Sequence, residues 1–439
     1  MASTYLSRTP SSAGNRKTWT YSAWFKRSSG LGVNQSITYV SEGGGYARIL
    51  LHNSDKIIID GQDSSGLNEY TLTTNRVFRD TSAWYHLVYA FDDTQSTASD
   101  RFKLYINGVQ ETSFTSVTYP VQNLDYPYNS ANPHYIGSNS AGATYYDGSM
   151  SHIHFIDGTA YDASYFGSTD SVTGEWKINT SPSVTYGTNG FFILKDGNSV
   201  TDQSGEGNNF TVGGGTLTKT EDNPSNVFAT WNPLAAYPSN TPTFSNGNNT
   251  VVGVDTLAQT VSCTLAMPKK GKFYCEMKLT QEANATSSIP NFGIIDAESL
   301  GVANHEEIVV WNGATNSYAG RINTTNLAVD GSDSGTLSSA PDVGDIMGLA
   351  VDLDSSPNTI KYYLNGSLAG TQNINNDEYV FACSIKRDNA DGQVDVNFGN
   401  GYFGTTAVST AGTNASGNGI FEYDVPTGYT ALSTKGLNL

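Results

Sequence analysis

Two stretches far apart in the chain repeat the same order of apolar and polar positions. Residues 84–110 read WYHLVYAFDDTQSTASDRFKLYINGVQ, and residues 344–370 read GDIMGLAVDLDSSPNTIKYYLNGSLAG. In each stretch an alternating apolar segment runs into acidic residues, a polar connection follows, and a second alternating segment ends in Asn-Gly. Alternation with a period of two is typical of a strand with one buried side. Each stretch therefore predicts a strand, a loop, a second strand and a tight turn into a third.

The apolar rows predict which side of each strand is buried. The first strands present the rows Leu87, Tyr89, Phe91 and Met347, Leu349, Val351, Leu353, and the second strands answer with Phe102, Leu104, Ile106 and Ile360, Tyr362, Leu364. Asn-Gly at 107–108 and at 365–366 is the pair that type I′ turns favour, because both central positions need a positive φ. The two stretches are thus predicted to organise two similar β-structures.

Short strands with turn signals between them fill most of the remaining chain, and the sequence has no long apolar stripe of helical period. This pattern predicts an all-β protein with two tandem β-sandwich (jelly-roll) domains. The 439 residues leave room for two domains of ordinary size. A Gly triplet at 213–215 and four prolines up to Pro242 indicate a connection. The predicted parts are a sandwich over 1–212, an ordered linker over 213–243 and a second sandwich over 244–439.

The charge balance and the cysteines narrow the classes of protein. Lys and Arg number 23 against 41 Asp and Glu, a formal net charge of −18, so we expect no nucleic-acid partner, which would need clustered basic residues. No apolar run is long enough to span a bilayer or to act as a secretory signal. We therefore expect a soluble protein made in a cytoplasm, without membrane insertion. Cys263, Cys275 and Cys383 lack a C-x-x-C pair and predict buried free thiols.

These motifs resemble known families. W-Y-H-L-V-Y-A-F-D and L-Y-I-N-G, followed by Y-I-G and by Y-D-G-S-M-S-H-I-H-F-I-D-G, are similar to laminin G-like sandwiches of the concanavalin A-like type. In the second half, G-K-F-Y-C-E-M at 271–277, F-G-I-I-D at 292–296 and V-N-F-G at 396–399 resemble the SPRY fold. The resemblance implies a laminin G-like domain followed by a SPRY-like domain.

A further resemblance covers nearly the whole chain. Y-L-S-R-T at 5–9, G-N-R-K-T-W-T at 14–20, H-F-I-D-G at 154–158, Y-G-T-N-G-F at 186–191 and D-Q-S-G-E-G-N-N-F-T at 202–211 follow each other in this order. The succession is similar to structural proteins of marine and environmental tailed phages. It implies a virion component of the tail-fibre or receptor-binding type, made in the host cytoplasm and carried on the exterior of the particle. Other virion proteins and further copies of the chain are the implied partners.

The concanavalin A-like superfamily includes β-glucanases, so a hydrolase has to be considered. Such enzymes use two carboxylates on one strand face. The E-x-D-x-x-E pattern is absent from the sequence, and the acidic strand positions Glu276 and Asp395 carry one carboxylate each. G-x-S-x-G, H-E-x-x-H and the P-loop are absent as well. We expect a protein that is not an enzyme and keep a carbohydrate-active hydrolase as an alternative.

Two sets of residues are candidate metal ligands. His152 and His154, at i and i+2, are predicted to share one face of a strand, where they either bind a transition metal or pack. Acidic loops supply oxygen ligands for calcium, which laminin G-like domains often use. If calcium is a cofactor, the predicted ligands are Asp92, Asp93 and Asp147. The alternative is that these loops are only solvated.

The aromatic-rich loops supply the candidate ligand-binding residues, which are Tyr119, Tyr126, Tyr128, Tyr145 and Tyr146. A tyrosine ring stacks on the apolar C–H patches of a sugar while neighbouring amides pair with its hydroxyls, and tyrosine is also favoured at protein interfaces. The alternative is that the rings cover the edges of the sandwich. Contact with a sugar, contact with a protein and edge packing stay open at this stage.

Together these features predict a non-enzymatic virion structural protein of a tailed phage. In the favoured hypothesis it is a tail-associated fibre or adhesin that binds a host-surface glycan or protein. The alternative is a capsid decoration or head-fibre protein attached to the shell. The sequence lacks the heptads of a coiled-coil stalk and the repeats of a β-helical shaft, which favours that alternative.

Overall fold

A computed structural model describes residues 3–140, 142–195, 199–235, 241–254, 256, 258–282, 290–299 and 316–439. The chain divides into two units, Met1–Lys219 and Thr220–Leu439. The predicted linker, 213–243, spans this division, and its residues 236–240 lie outside the described part. Ala229 and Trp231 are fully buried in the apolar core of the second unit. This segment is therefore held in place by burial.

The first unit is built from antiparallel strands and short connections. Its strands are β1 (Tyr5–Arg8), β2 (Thr18–Arg27), β3 (Gln35–Glu42), β4 (Gly45–Leu51), β5 (Lys56–Gly61), β6 (Tyr70–Val77), β7 (Trp84–Asp92), β8 (Phe102–Ile106), β9 (Val109–Gln110), β10 (Phe114–Thr118), β11 (His134–Ile136), β12 (Gly148–Asp157), β13 (Gly167–Thr169), β14 (Trp176–Ile178), β15 (Phe191–Ile193) and β16 (Thr211–Gly213). An eight-stranded sheet has the order β10-β6-β5-β4-β3-β11-β1-β16, and a six-stranded sheet has the order β15-β12-β2-β7-β8-β9. The strands β13 and β14 form a separate hairpin.

The core of the first unit lies between its two large sheets. Trp19 on β2 stacks on Phe91 of β7, with ring centroids 4.9 Å apart, and meets Ile59 and Leu72 of the other sheet in the same buried cluster. The outer face of the six-stranded sheet is covered by a second apolar cluster that includes Phe166 and Phe192. Burial on both sides explains why nearly every residue of β2 is inaccessible, although its sequence alternates.

The second unit repeats the two-sheet plan. Its strands are β17 (Thr243–Ser245), β18 (Thr250–Val252), β19 (Gln259–Ser262), β20 (Lys272–Gln281), β21 (Asn291–Asp296), β22 (Tyr318–Arg321), β23 (Asn326–Val329), β24 (Ser332–Thr336), β25 (Ile346–Asp352), β26 (Asn358–Leu364), β27 (Ser367–Ile374), β28 (Tyr379–Ile385), β29 (Gln393–Asn397), β30 (Tyr402–Phe403), β31 (Thr406–Ala407) and β32 (Thr430–Ala431). One sheet has the order β17-β18-β29-β20-β25-β26-β27, with β32 parallel to β20, and the other has the order β19-β28-β21-β22-β23-β24. Its buried core includes the three cysteines, which are free thiols as predicted.

The predicted all-β class and the tandem sandwiches are confirmed, and the two organising stretches form equivalent hairpins. They become β7-β8-β9 and β25-β26-β27, with Phe91 opposite Phe102 and Val351 opposite Ile360. Asn107 has a φ of 48° and Asn365 a φ of 47°, and each is followed by a glycine with positive φ. In both turns the Asn Oδ1 accepts from a backbone N–H near the start of the first strand of the three, that of His86 on β7 at 2.8 Å and that of Ile346 on β25 at 2.9 Å. These turns fix the register of each hairpin.

Among the residues that the structure describes, helical structure is confined to 3₁₀ turns at Ala98–Asp100, Ala163–Tyr165, Ala297–Ser299 and Gly436–Asn438. Over the described ranges, none of the helices has the length and apolar character that crossing a membrane would require.

A carboxylate at the end of β12 ties three separate segments of the first unit together. Asp157 Oδ1 accepts from the Asn15 backbone N–H at 2.7 Å and from the Asn129 amide at 2.6 Å, and Oδ2 accepts from the Asn189 backbone N–H at 3.1 Å. The Asn189 amide also donates to Asn129 Oδ1 at 2.9 Å. Gly14 is needed beside this network, because a Cβ there would overlap the Asp157 carboxylate. We call these residues the Asp157 network.

Replacing Asp157 is expected to destabilise the first unit. Asp157→Ala leaves three donors without their charged acceptor, and we expect the free energy of unfolding to fall by about 3 kcal/mol. The measurement is urea unfolding of the full chain followed by tryptophan fluorescence, since four of the six tryptophans lie in this unit. Asp125→Ala is the control, because it removes an exposed carboxylate 3.8 Å from Lys17. Equal midpoints for the two variants would contradict the role of the network.

A buried carboxylate also holds the last part of the second unit. Glu276 on β20 accepts from the backbone N–H of Glu422 at 2.8 Å and of Tyr423 at 2.9 Å. The segment that contains these two donors packs its residues Phe421 and Tyr429 against Tyr274 on the outer face of the sheet. Burial raises the pKa of Glu276 to about 7, although the two N–H donors act in the opposite direction.

This shift predicts a pH dependence that Glu276→Gln removes. Between pH 4.5, the ordinary pKa of the group, and about 7 the folded state holds a proton that the unfolded state releases. Raising the pH through this window therefore lowers the free energy of unfolding of the wild type and not that of the variant. We expect the stability advantage of the wild type, measured by urea unfolding at pH 5, 6, 7 and 8, to shrink as the pH rises. Glu378→Gln, at an exposed position of the same unit, is the control, and parallel curves for Glu276→Gln would refute the assignment.

Candidate functional site

The structure corrects two of the predicted ligand-binding tyrosines. Tyr126 and Tyr128 are 0% and 1% exposed. The Tyr128 ring lies 4.7 Å from that of Trp19 in the core, and the Tyr126 hydroxyl donates to the Asn68 carbonyl at 3.0 Å. Both were assigned to the aromatic-rich loops, but their rings fill the space between the sheets. A ligand cannot reach them in the folded protein.

The other three predicted tyrosines are partly exposed and do not form one cluster. Tyr119 packs on Phe102, with centroids 5.2 Å apart. Tyr146 is anchored by a hydrogen bond from its hydroxyl to the Lys26 carbonyl, at 2.7 Å. Only Tyr145 approaches another exposed ring, that of Tyr5, at 6.4 Å.

The predicted calcium ligands do not meet. Asp92 is paired with Thr18 at one end of β2, whereas Asp147 precedes the residue paired with Arg27 at the other end. Ten residues of strand separate these ends by about 30 Å. Asp92 already accepts from Thr94 and Gln95, and burial raises the pKa of Asp93 to about 7. These residues therefore do not fit one shared ion, and calcium as a cofactor stays a prediction.

The predicted histidine pair lies at an irregularity in β12. His152 has a φ of 47°, and the register of β12 on β2 shifts between Ser151 and His154, so simple alternation does not hold. His154 bonds the Tyr186 hydroxyl at 2.9 Å and stacks on Phe192 at 4.0 Å. Burial holds the pKa of His154 well below its ordinary value. Within the described residues no group of three His, Cys, Asp or Glu side chains is arranged to hold a metal, so packing is the better interpretation.

The outer face of the eight-stranded sheet carries a row of polar and aromatic side chains. Ser7 is opposite both Thr211 and Tyr135, Tyr135 is opposite Tyr39, and Tyr39 is opposite Arg48. Residues directly opposite each other in an antiparallel sheet point to the same side. Their neighbours in sequence, Leu6, Ile136, Val40 and Ala47, are all buried in the core. The row therefore faces outward.

Five partly exposed tyrosines lie on or beside this row, and we call them the tyrosine face. They are Tyr5, Tyr39, Tyr46, Tyr135 and Tyr145. Ring centroids are 6.0 Å apart between Tyr5 and Tyr135 and 6.3 Å between Tyr39 and Tyr46, and the planes of the latter pair differ by only 4°. Such side-by-side rings present extended apolar surface with hydroxyl groups at its rim.

One end of the tyrosine face is fixed by an ion pair. Arg48 Nε and Nη2 donate to the two oxygens of Asp60 at 2.8 and 3.0 Å, and the Tyr46 hydroxyl donates to Asp60 Oδ2 at 2.8 Å. The Arg48 guanidinium also lies 5.1 Å from the Tyr46 ring centroid. Burial, and then the Asp60 carboxylate, raise the pKa of Tyr46. Its hydroxyl is thus a neutral donor near pH 7.

The other end opens into a cavity of about 560 Å³, which we call the Arg8 groove. This volume falls within the range of about 300–1,000 Å³ typical of small-molecule sites. Its lining is neutral and polar except for one cation, and it consists of Ser7, Arg8, Thr9, Ser11, Pro133, Tyr135, Gly207, Asn208, Asn209 and Thr211. Tyr135 and Ser7 belong to both the groove and the row of the sheet, so the two surfaces are continuous.

Arg8 is held by amide and carbonyl oxygens. Its Nη1 donates to the Asn189 carbonyl at 3.2 Å, and its Nη2 donates to the side-chain oxygens of Asn189 and Asn208. Burial lowers the pKa of Arg8, while the more distant Asp202 and Asp157 carboxylates raise it. An arginine stays protonated under these conditions. The groove therefore contains a fixed positive charge.

The residues that form this site lie in sequence motifs that were related to the phage resemblance but not to a binding site. Arg8, Asn189 and Asn208 lie in three of the motifs that carried the phage resemblance, at 5–9, 186–191 and 202–211. The motifs at 14–20 and 154–158 supply the Asp157 network behind them. For the tyrosine face the signal was the alternation of strand residues, which places Tyr39 opposite in direction to Val40.

Most of the first unit matches the model of a known protein family. The model of the concanavalin A-like lectin/glucanases superfamily named Laminin G 3 matches residues 2–164. This part of the chain is laminin G-like. A search of curated proteins found no match. Laminin G-like domains in general bind carbohydrates or proteins.

The search of solved structures found matches at low TM-scores. The SPRY domain of human HERC1 has 17% identity and a TM-score of 0.31, covering 38% of this chain and 96% of that one. Domains LG4-5 of the mouse laminin alpha1 chain have 9% identity and a TM-score of 0.31, covering 96% and 92%. The SAP-like pentraxin from Limulus polyphemus has 11% identity and a TM-score of 0.29, covering 49% and 90%. At this level of similarity none of them bears on the function.

Two tyrosine variants test the distinction between core and face. Tyr128→Ala creates a cavity between the sheets and is expected to lower the free energy of unfolding by about 3–5 kcal/mol. Tyr135→Ala removes a partly exposed ring and is expected to change it by less than about 1 kcal/mol. Urea unfolding of the full chain measures both, and equal losses would contradict the assignment of Tyr135 to an open surface.

Proposed function

We propose that the protein is a non-enzymatic structural component of a tailed-phage virion, a tail-associated fibre or adhesin that binds a glycan or protein on the host surface. The observation that carries the proposal is the tyrosine face running into the Arg8 groove. Tyrosine rings stack on the C–H faces of sugars, and the hydroxyl and amide groups of the groove pair with sugar hydroxyls. A glycan chain is therefore the favoured ligand.

The chemistry of this surface favours binding over cleavage. A glycosidase needs two carboxylates placed about 5–10 Å apart across the scissile bond. The lining of the groove contains no carboxylate, and the Asp60 carboxylate on the tyrosine face is occupied by Arg48 and Tyr46. We assign the surface to recognition.

The virion role is supported by the order of the phage-like motifs along the chain, from 5–9 to 202–211. A net charge of −18 favours dense display on the exterior of a particle, because it keeps copies from aggregating. Other virion proteins and further copies of this chain are the proposed partners. A capsid decoration or head-fibre protein is the second candidate, favoured by the absence of stalk repeats in the sequence.

Binding of purified protein to host cells tests the adhesin proposal. Tyr39→Ala and Tyr135→Ala each remove one ring from the tyrosine face, and we expect each to weaken cell binding at least tenfold, measured by titration of labelled protein. Tyr165→Ala is the matched control, since Tyr165 is 42% exposed and packs on Tyr161 away from this face. Equal binding by all three variants would refute the proposed site.

Immunogold labelling of intact virions separates the two candidate locations. Gold confined to the tail is expected for an adhesin. Gold over the head would refute the tail location and support a capsid decoration, in which the tyrosine face contacts the shell.

A further inference from the structure

We propose that the Arg8 groove binds the carboxylate of an acidic sugar, a uronic or related sugar acid, within the glycan that crosses the tyrosine face. This inference rests on the proposed glycan-binding function and names the chemical class of its ligand. It is carried by the unpaired state of Arg8, the fixed orientation of its supports and the absence of acidic groups from the lining.

Arg8 differs from most arginines of its unit. Five of the seven arginines in the first unit pair with carboxylates: Arg16 with Glu42, Arg27 and Arg79 with Asp55, Arg48 with Asp60, and Arg76 with Glu111. Arg8 and Arg101 bond only to neutral oxygens among the described residues. All three guanidinium nitrogens of Arg101 are used by carbonyls, whereas Arg8 Nε has no acceptor in the described part of the chain. Arg8 is thus an arginine without a paired carboxylate that keeps its Nε–H available for a ligand.

The amides that support Arg8 are themselves fixed. The Asn208 amide donates to the carbonyls of Thr188 at 2.9 Å and Gly190 at 2.7 Å, so its oxygen must turn toward Arg8. The Asn189 amide donates to the Ser12 carbonyl and to Asn129 Oδ1, both at 2.9 Å, with the same consequence. These donors leave each side-chain oxygen free to accept from Arg8. The guanidinium is therefore positioned before a ligand arrives, which reduces the entropic cost of binding.

The carboxylates of Asp202 and Asp157 act on Arg8 electrostatically, but neither lines the groove. Asp202 uses its oxygens to accept from the N–H groups of Phe192, Ser204 and Asn208. It is absent from the lining, which otherwise offers hydroxyl and amide groups. In a protein with a charge of −18, a positive groove without a carboxylate selects for an anionic ligand at this point.

The geometry favours a carboxylate on a sugar. Both N–H groups of Arg8 Nη2 are used by Asn189 and Asn208, so the Nε–H is the donor left for the ligand. A hydrogen bond from a charged donor to a carboxylate is stronger than one to a neutral oxygen. Ser7 and Thr211, side by side on adjacent strands, offer hydroxyls to the ring of the same sugar. Tyr135 continues the surface toward Tyr39. An acid in the groove and neighbouring sugars on the rings would thus occupy one continuous track.

Calorimetric titration of the full chain with a galacturonate hexasaccharide and with its methyl ester tests the inference. The ester keeps the shape of the sugar and removes its charge. We expect the wild type to bind the acid at least tenfold more tightly, a difference of about 1.4 kcal/mol. Arg8→Gln is expected to abolish the preference, and Arg101→Gln, the matched control, to retain it.

A second variant covers the case in which Arg8→Gln fails to fold. Asn209→Asp adds a carboxylate to the groove while keeping the oxygen that accepts from the Asp202 N–H at 2.8 Å. It is expected to weaken binding of the acid at least tenfold and to leave binding of the ester unchanged. Urea unfolding of each variant verifies the fold.

Several outcomes would overturn the inference. Equal affinity of the wild type for acid and ester, no binding of either, or a preference that survives both Arg8→Gln and Asn209→Asp would each do so. Tighter binding of galactose 6-phosphate than of galacturonate would replace the carboxylate by a phosphate. Host-cell binding that depends on Tyr39 and Tyr135 would stand in any of these cases, so the two proposals fail separately.

Discussion

The Asp157 carboxylate is the interaction on which the candidate site of the first unit depends. It holds Asn15, Asn129 and Asn189, which come from three distant parts of the chain. Asn189 in turn orients the guanidinium of Arg8. A charged acceptor with several donors is stronger than neutral pairs and stricter in its geometry. The position of the groove is therefore set by the end of β12, on the other sheet of the sandwich.

The second unit uses a buried carboxylate for a different purpose. Glu276 lies on the outer face of its sheet and accepts two backbone N–H groups of the segment around Phe421. This contact holds an apolar cover over the sheet, and the equivalent six-stranded sheet of the first unit is covered in the same way by the cluster that includes Phe166 and Phe192. The two sandwiches share their hairpins and turns, and in the first unit the eight-stranded sheet displays the tyrosine face. The proposed binding surface is this sheet of the first unit.

The acidic balance of the chain makes its few unpaired cations informative. Most arginines of the first unit are neutralised by a carboxylate, so they serve packing and register. Arg8 is held by amide oxygens, which position a cation without cancelling its charge. In the same way, it is the arrangement of the exposed tyrosines on one sheet face, and not their residue type, that indicates a binding surface. Tyr126 and Tyr128 are equally aromatic, but they fill the core.

The sequence by itself determined the all-β class, the two hairpins and their turns, because strand alternation and Asn-Gly pairs act between close neighbours. The burial of the cysteines followed from residue type. Tertiary structure alone decided which tyrosines are accessible, since both faces of several strands are covered by segments distant in the chain. It also decided that Asp92 and Asp147 lie at opposite ends of β2 and that Arg8 meets Asn189 and Asn208. These contacts join residues about 180 to 200 positions apart, and no local pattern encodes such a distance.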